Sequence, residues 1–450
     1  MSNNNENENK KATSSLYDKD TVWDARLDWL RENPMPPVVE VIVAWIMALL
    51  CLTYYAYSYL SLTFKSTKKA ANTTSAHFFP LVVQVKGQEE TRTTKEMYQE
   101  LQPHLKDAKD DDERLVARIR NSLTLRRLVT ALFQQTNVDL YVSDVERWRR
   151  LWPRLMALPP VLKDDKTNAT AKIALILPAY KEDGHRLLRT LKVAIDHCLD
   201  PSQLQIIVVN AGHCPNLQVV QDFFKSLAKS SSFSSSWRIV DYTGGGGRGP
   251  TLDNGTQHVD EDISLLTFLH SDTLLPQNWD KHVRKTWTTV RQGKNQKIVT
   301  ATAFLFNQDK SEDGLNGGPY PWGIEAVQLL GNVRAWALSL PYGDHVLSMP
   351  LAYYRYVGGF PHQPIMEDYQ LMDYFRQRAR WQQRQKQTPR ESISILPAWV
   401  HTGVRRWQSH GVVYVTLVNA LIVYRYQLGW TPTEIFRYYY QRPNNEKKSA

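Results

Sequence analysis

The feature that most constrains this chain is an alternation of buried strands and amphipathic helices that begins near residue 172. Four short apolar runs have the composition of buried strands, at residues 173–177, 204–209, 237–240 and 263–269. Between them, apolar residues recur at the three- and four-residue spacing of helices. This alternation predicts an α/β domain with a mostly parallel sheet flanked by helices. Because ligands bind at the carboxyl ends of the strands in such sheets, the loops after these runs should carry the chemistry.

Length, cysteine content and charge narrow the class of protein further. The chain has 450 residues and a mass of 52.0 kDa, about three times the usual length of a domain. Its three cysteines exclude a disulfide-stapled scaffold. The net charge of +10 suits phosphate-rich ligands or an anionic membrane surface. We expect no nucleic-acid partner.

One segment near the N-terminus has the length and composition of a membrane helix. Residues 41–64 are 24 consecutive uncharged residues. As a helix they would extend roughly 36 Å, against about 30 Å for the hydrocarbon core of a bilayer. Tyrosines in the second half of the run and the lysines at 65, 68 and 69 are typical of interfacial anchors. We therefore predict a single-pass transmembrane helix at residues 38–64, with a buried core helix as the alternative.

Two short signals disagree about the side of the membrane on which the body lies. Sequons at Asn72, Asn168 and Asn254 would be glycosylated only in the lumen. The tail at Lys447 and Lys448, however, resembles a dilysine retrieval signal that is recognised in the cytosol. The expected location is the Golgi or endoplasmic reticulum membrane, and the orientation stays open.

The other segments complete the predicted organisation. We expect a polar, disordered tail at 1–37, a helical stem and linker at 65–170, the α/β domain at 171–400, a C-terminal element at 401–443 and a second tail at 444–450. The uncharged stretch at 411–424 is too short to span a bilayer. Burial of this stretch on the domain and contact with a membrane interface are both open.

Polar groups follow the third and fourth predicted strands. Residues 244–255 form a glycine-rich run with one cation, Arg248, which can approach phosphate oxygens. A flexible loop without a ligand is the alternative. The fourth strand ends in His270-Ser271-Asp272, where an imidazole and a carboxylate two residues apart can face one site and hold a divalent ion. For this pair, a structural role is the alternative.

Six short motifs in one order carry a resemblance to a known family. They are I-L-P-A-Y-K-E from residue 176, R-G-P-T-L-D-N-G from 248, F-L-H-S-D-T-L-L-P from 268, L-P-Y-G-D-H from 340, G-G-F-P-H-Q-P-I-M-E-D from 358 and V-R-R-W from 404. Residues 173 to about 440, roughly 60% of the chain, resemble glycosyltransferase family 2. Specifically, they resemble its small bacterial-type branch, which has a His-Ala-Asp-Thr motif in place of Asp-x-Asp.

This resemblance implies a fold, a reaction and a cofactor. The fold would be GT-A, a Rossmann-like, mostly parallel sheet flanked by helices. The reaction would transfer a sugar from a nucleotide-sugar donor to an acceptor hydroxyl, with inversion at the anomeric carbon. A divalent metal, Mn²⁺ or Mg²⁺, would neutralise the diphosphate leaving group. The acceptor, whether glycan, lipid or protein, stays open.

The resemblance also implies roles for individual residues. Residues of the strand-end loops and of the late Arg-Trp element would bind the donor: Pro178, Glu182, Asn210, Arg248, Asn254, Asp344, Arg405, Arg406 and Trp407. Asp272, with His270 beside it, would hold the metal. Asp368, next to Glu367, would be the general base that takes the proton of the acceptor hydroxyl. An acidic pair that only stabilises a helix N-terminus is the alternative for these two residues.

One position departs from the family pattern. Asn210 stands at the end of the second strand, where the family usually has an aspartate that contacts the nucleotide. An asparagine keeps an acceptor and adds a donor but loses the charge, so the identity of the donor stays open. A catalytically silent homologue, acting as a membrane scaffold or a sugar-binding subunit, is therefore the second hypothesis.

Overall fold

A computed structural model describes most of residues 171–440 and parts of the N-terminal region. The described N-terminal parts are residues 30, 35–64, 81–85, 88–92, 112, 115–116 and 151, and the gaps after residue 171 are 213, 229–235, 245–246, 290–294, 307–319, 362, 385–389, 428–429 and 431. The predicted stem and both predicted tails lie almost entirely outside the described residues. Helix α1 (Pro37–Phe64) comes first, followed by an antiparallel hairpin of β1 (Leu81–Val85) and β2 (Gln88–Arg92).

A seven-stranded mixed sheet lies at the centre of the described chain. Its strands are β3 (Lys172–Ala179), β4 (Leu204–Asn210), β5 (Trp237–Asp241), β6 (Ile263–Phe268), β7 (Asn295–Phe306), β8 (Leu347–Pro350) and β9 (Arg390–Thr402). Their order across the sheet is β5-β4-β3-β6-β8-β7-β9. The first four strands in this order are parallel, as the sequence predicts, whereas β8 pairs antiparallel with both β6 and β7.

Helices cover both faces of this sheet. They are α2 (Gly184–Asp196), α3 (Leu217–Ala228), α4 (Arg248–Thr256), α5 (Trp279–Thr289), α6 (Ile324–Leu338), α7 (Leu351–Val357), α8 (Glu367–Arg384), α9 (Arg405–His410), α10 (Val412–Gln427) and α11 (Pro432–Tyr440). The mixed α/β architecture with helices on both sides is the fold class that the sequence predicts.

Strand β3 shows why the sheet is buried on both faces. Its side chains alternate between two apolar clusters. Leu175 and Leu177 belong to the cluster that includes residues of α2, α3, α5 and α6, and Ile176 belongs to the one that includes residues of α4, α7, α8 and α10. Successive side chains of a strand point to opposite faces, so a strand covered twice must be apolar at every position. The unbroken apolar run in the sequence therefore has a direct structural cause.

The glycine-rich segment differs from its sequence prediction. Residues 248–256 form helix α4 and not a loop. Gly247 precedes the helix with a φ of 86°, a conformation that favours glycine. Gly255 lies so close to the sheet that a Cβ there would be 2.6 Å from Ile176 Cγ2 and 2.9 Å from Val209 Cγ2. The glycines therefore permit a turn and close packing of a helix, which composition alone does not distinguish from flexibility.

The N-terminal helix packs along the α/β domain. Ala44 and Ala48 of α1 are buried in the same apolar cluster as Ile324 and Ala326 of α6. The structure describes the side chains of α1 as far as Thr53. Among the described residues, no helix combines the length and apolarity needed to cross a bilayer, so the predicted transmembrane helix is not confirmed.

The C-terminal apolar stretch forms α10 and is largely buried. Val415, Val418 and Ile422 of this helix lie in the apolar cluster on the α8 side of the sheet. Burial on the domain, one of the two possibilities left open by the sequence, therefore accounts for most of its apolar residues. Tyr424 is exposed.

Candidate active site at the strand ends

The carboxyl ends of three parallel strands are aligned at one edge of the sheet. Ala179 of β3 pairs in register with Asn210 of β4, which in turn pairs with Asp241 of β5. The side-chain amide of Asn210 donates a hydrogen bond to Asp241 Oδ1 at 2.7 Å. Pro178, one residue before the end of β3, lies opposite Val209. This edge is where an open α/β sheet binds its ligands.

Glu182, in the loop after β3, is a buried carboxylate surrounded by donors. It accepts hydrogen bonds from Arg186 at 2.9 Å, from Ser271 at 2.9 Å and from Arg405 at 3.2 and 3.1 Å. Burial opposes its ionisation, but the charge of Arg405 and these hydrogen bonds outweigh burial, and the pKa of Glu182 is lowered. The side chain is therefore an anion that binds Arg405 with both oxygens.

Arg405 also reaches the predicted metal ligand. Its Nη2 lies 3.0 Å from Asp272 Oδ2, so one guanidinium bridges two carboxylates from different loops. Gly403 allows this approach because a Cβ there would lie 2.6 Å from the same Asp272 oxygen. Arg405 begins the short helix α9, which follows the end of β9.

A second arginine, Arg248, lies between the two predicted catalytic acids. Its Nε donates to Glu367 Oε1 at 2.5 Å, and its Nη2 donates to Asp368 Oδ2 at 3.1 Å. Its Nη1 lies 2.9 Å from His270 Nε2. Because a guanidinium can only donate, His270 Nε2 must accept, which leaves the proton on Nδ1, 3.2 Å from Asp344 Oδ1.

The two acids of α8 have different surroundings. Glu367 is 2% exposed, and burial raises its pKa although the charge of Arg248 opposes this shift. Asp368 accepts backbone hydrogen bonds from Gly343 at 2.8 Å on Oδ2 and from Tyr369 at 2.7 Å on Oδ1. Asp368 is thus the more exposed acid, with 13% of its side chain accessible, and its carboxylate is oriented by the loop that carries Asp344.

The predicted metal ligands have different partners. His270 contacts Arg248 and Asp344, whereas Asp272 contacts Arg405. Among the described residues, no group of three or more His, Cys, Asp or Glu side chains is placed to hold an ion. The donor set does fit an ion that takes one carboxylate from Asp272 and its remaining oxygens from a diphosphate, which is how Mg²⁺ is usually held with substrate phosphates.

The remaining predicted residues, Arg406, Trp407 and Asn254, have other surroundings. Arg406 stacks on Tyr439, with 3.6 Å between the guanidinium carbon and the ring centroid. The ring of Trp407 lies 5.0 Å from that of Phe306, and its indole N–H is buried without a partner among the described residues. Asn254 lies on α4, and its Oδ1 is also buried without a described partner.

Sequence reasoning missed four residues that complete this site. Asp241 at the end of β5, Arg186 and Ser271 beside Glu182, and the backbone N–H of Gly343 all contact predicted residues. Arg186 had a usable signal, since it follows Glu182 by four residues at the start of a predicted helix. Asp241 had a weaker one, its position at the end of a predicted strand.

Comparisons with known proteins add a partial likeness in backbone. No protein-family model matches the sequence, and no curated protein matches it. Similar solved structures include the mannosyltransferase PcManGT from Pyrobaculum calidifontis in complex with GDP-Man and Mn²⁺, at 13% identity, TM-score 0.35, and 62% of this chain and 68% of that chain covered. Others are S. aureus TarS 1–349 with UDP-GlcNAc (11%, TM-score 0.34, 59% and 70% covered) and GalNAc-T7 with UDP, GalNAc and Mn²⁺ (11%, TM-score 0.35, 52% and 43% covered).

Proposed function

We propose that this protein is a glycosyltransferase of the GT-A type that transfers a sugar from a nucleotide-sugar donor to an acceptor hydroxyl with inversion. The contact set of Arg248 supports this most strongly. Arg248 begins one of the six motif segments. It contacts His270 of a second segment, and Glu367 and Asp368 of a third. A cation between two candidate acids suits a reaction with an anionic leaving group and a proton to remove.

The donor diphosphate would compete with Asp368 for Arg248 and with Asp272 for Arg405, while the buried Glu367 and Glu182 keep the two arginines in position. Arg248 and Arg405 are each held by two acids. A diphosphate offers the same guanidinium groups a more highly charged acceptor, with bidentate geometry. Movement of Arg248 from Asp368 to the diphosphate would leave the Asp368 carboxylate free to take the acceptor proton. Binding of the donor would then also activate the base, because it removes Arg248 from Asp368.

Asp272 would hold the divalent metal together with the diphosphate. The ion would supply Lewis-acid neutralisation of the leaving group. His270 has a different part, since its Nε2 accepts from Arg248 and its Nδ1–H faces Asp344. It fixes the arginine and the Asp344 loop relative to each other.

The departure at Asn210 has a local compensation in this proposal. Asp241, hydrogen-bonded to the Asn210 amide, places a carboxylate one strand away from the expected position. The pair therefore retains one negative charge at the strand ends for base or ribose recognition. This weakens the case for a catalytically silent membrane scaffold or sugar-binding homologue, which rested on the lost charge together with the long predicted stem.

A donor screen tests the proposal directly. Purified full-length protein is incubated with a panel of nucleotide sugars and Mn²⁺ or Mg²⁺, and release of nucleoside diphosphate is measured with and without acceptors. We expect metal-stimulated release from at least one donor, lost in Asp272→Ala. Tight diphosphate binding with no turnover of any donor would favour the silent homologue.

Location in the Golgi or endoplasmic reticulum membrane stays a prediction. Glycosidase treatment of the protein from cells tests whether the body lies in the lumen of these compartments, because a shift in mobility requires sequons that were glycosylated there. No mobility change, together with protease sensitivity of the body in sealed vesicles, would place the catalytic site on the cytosolic side.

A further inference from the structure

An apolar stripe runs along the outer side of helix α6. Leu329 and Trp336 are seven residues apart within the helix, which places them on one side of it, and Trp322 lies two residues before the helix begins. Trp336 is 77% exposed and Trp322 is 62% exposed. We call these three residues the α6 stripe. Monomeric soluble proteins rarely leave several large apolar side chains together in water, so the stripe marks an interaction surface.

The outer side of α1 is apolar as well, and α1 packs directly on α6. Its exposed residues include Ile42, Trp45, Ile46 and Leu49, whereas Ala44 and Ala48 on the opposite side are buried against the domain. The two helices meet closely at Gly323, where a Cβ would lie 3.0 Å from the Ala44 Cβ. Two neighbouring helices therefore both present large apolar side chains to solvent.

A specific polar contact holds α1 in this position. Glu40 Oε1 accepts hydrogen bonds from the backbone N–H groups of Val412 at 2.6 Å and Val413 at 3.3 Å, at the start of α10. These are among the helix N-terminal donors that lack partners inside the helix, and the helix dipole favours the carboxylate there. The single acid of α1 thus docks the helix on the domain and leaves the outer apolar side free.

We infer that the α6 stripe and the outer side of α1 together form a docking surface for an anionic lipid bilayer. Charge supports a lipid partner over a protein partner. The net charge is +10, and three lysines, Lys65, Lys68 and Lys69, directly follow the uncharged run. Tryptophan is also the side chain that lies most readily at the headgroup level. Glu325, exposed on α6 between Trp322 and Leu329, limits the depth of insertion to that level.

This docking differs from a helix that crosses the membrane. The surface lies beside the bilayer, and the stripe belongs to the α/β domain and not to the N-terminal segment. It predicts that α6 itself contacts lipid, which an anchor joined to the domain by a flexible tether would not require. The inference does not depend on the proposed transferase activity.

A site-specific label tests the contact. In a Cys51→Ser background, where the two remaining native cysteines, Cys198 and Cys214, are buried, an environment-sensitive fluorophore is attached through Trp336→Cys. The matched control carries it at Trp399→Cys, an exposed tryptophan of β9. Both full-length proteins are mixed with vesicles of brominated phosphatidylcholine and phosphatidylserine. We expect a blue shift and loss of emission at position 336 and no change at position 399.

Partitioning gives an independent second measurement. The double variant Trp322→Ser/Trp336→Ser should bind phosphatidylserine vesicles about tenfold more weakly than wild type, since two apolar side chains lose their burial. Trp399→Ser should bind like wild type. Vesicle binding with an unquenched label at position 336 would overturn the inference, as would no vesicle binding at all. Concentration-dependent burial of the label without vesicles would assign the surface to a second copy of the chain instead.

Discussion

Asp368 and Glu367 are adjacent in sequence, yet their burial and their hydrogen-bond partners differ. Glu367 is buried, has its pKa raised by burial and faces the Arg248 Nε. Asp368 is oriented by backbone N–H groups from two segments and shares Arg248 through its Oδ2. Neighbouring carboxylates in unlike surroundings commonly divide their work. We therefore propose Asp368 as the base and Glu367 as the residue that positions Arg248.

The first prediction separates these two roles. Asp368→Asn keeps the shape and most hydrogen bonds but cannot accept a proton, so transfer should fall by about 10² to 10⁴. Donor affinity should not fall, because the diphosphate loses only a competitor for Arg248. Glu367→Gln should lower the donor affinity as well, because Arg248 loses its buried ionic partner. Steady-state kinetics and diphosphate titration measure both effects. Wild-type turnover in Asp368→Asn with loss in Glu367→Gln would move the base to the neighbouring residue.

A second prediction concerns the bridge that Arg405 makes. Lysine cannot hold Glu182 with two donors and reach Asp272 as well, so Arg405→Lys is not a conservative change here. We expect nucleoside diphosphate to bind about tenfold more weakly in Arg405→Lys, the cost of a lost charged hydrogen bond. The matched control is Arg238→Lys, which changes the ion pair between Arg238 of β5 and Asp260. This control should bind the nucleoside diphosphate like wild type. Equal affinity in all three proteins would exclude Arg405 from diphosphate binding.

Sequence could place candidate acids in a loop but not assign their partners. His270 and Asp272 were expected to act together because a strand end sets them two residues apart. Their partners instead come from residues 248, 344 and 405, and long-range pairings of this kind have no local signal. Asp241 illustrates the same limit, since only the register of β4 on β5 brings it to Asn210.

At the scale of elements, helix α4 depends on the absence of a side chain at Gly255. An alanine would improve the helix propensity by about 1 kcal/mol. Its Cβ, however, would lie 2.6 Å from Ile176 Cγ2 and 2.9 Å from Val209 Cγ2, on central strands that have little freedom to move. The steric cost should exceed the gain.

The third prediction follows from that balance. Gly255→Ala should reduce the free energy of unfolding by about 1–2 kcal/mol, the lower part of the range for overpacked cores. Gln257→Ala, at the exposed end of the same helix, should stay within about 0.5 kcal/mol of wild type. Urea unfolding of the three proteins measures the difference. A stabilised Gly255→Ala would show that α4 packs less closely than described.

Elements with strong periodicity were predictable, and those defined by pairing were not. Each of the four parallel strands was predictable because it is a short apolar stretch that can be recognised from its own residues. Strand β8, only four residues long, joins β6 to β7 in antiparallel pairing, and its place in the sheet comes from long-range contacts. The position of α1 along the domain depends on Glu40 and on the close approach of Ala44 to Gly323. Hydrophobicity alone therefore indicated a helix but not the elements that it packs against.

For the whole molecule, acid stability depends on groups that fold in one protonation state. His345 is fully buried, its Nδ1 lies 2.7 Å from the Thr302 carbonyl, and burial together with Arg334 lowers its pKa to about 4. The pKa values of Glu182 and Asp280 are lowered too, by Arg405 for Glu182 and by backbone hydrogen bonds from Leu199 and then by Arg284 for Asp280, in both cases against burial. Each of these three groups binds protons more readily in the unfolded chain.

The fourth prediction is that stability falls in two successive pH windows. Because the unfolded state binds a proton at residue 345 first, the histidine's contribution is complete above about pH 6.5 and is lost as the pH falls to about 4. The difference in pKa corresponds to roughly 3 kcal/mol. Glu182 and Asp280 reduce the free energy of unfolding only when the pH falls to about 4, the ordinary pKa range of carboxyl groups.

The variant His345→Gln tests the upper window, because its amide can still donate to the Thr302 carbonyl but does not titrate. Its free energy of unfolding should depend less on pH than that of wild type between pH 6.5 and 4, and should decline like wild type below pH 4. Urea unfolding at pH 7.5, 5.5, 4.5 and 3.5 compares the two proteins. Parallel dependence of the free energy of unfolding on pH between 7.5 and 4.5 would show that another group governs the upper window.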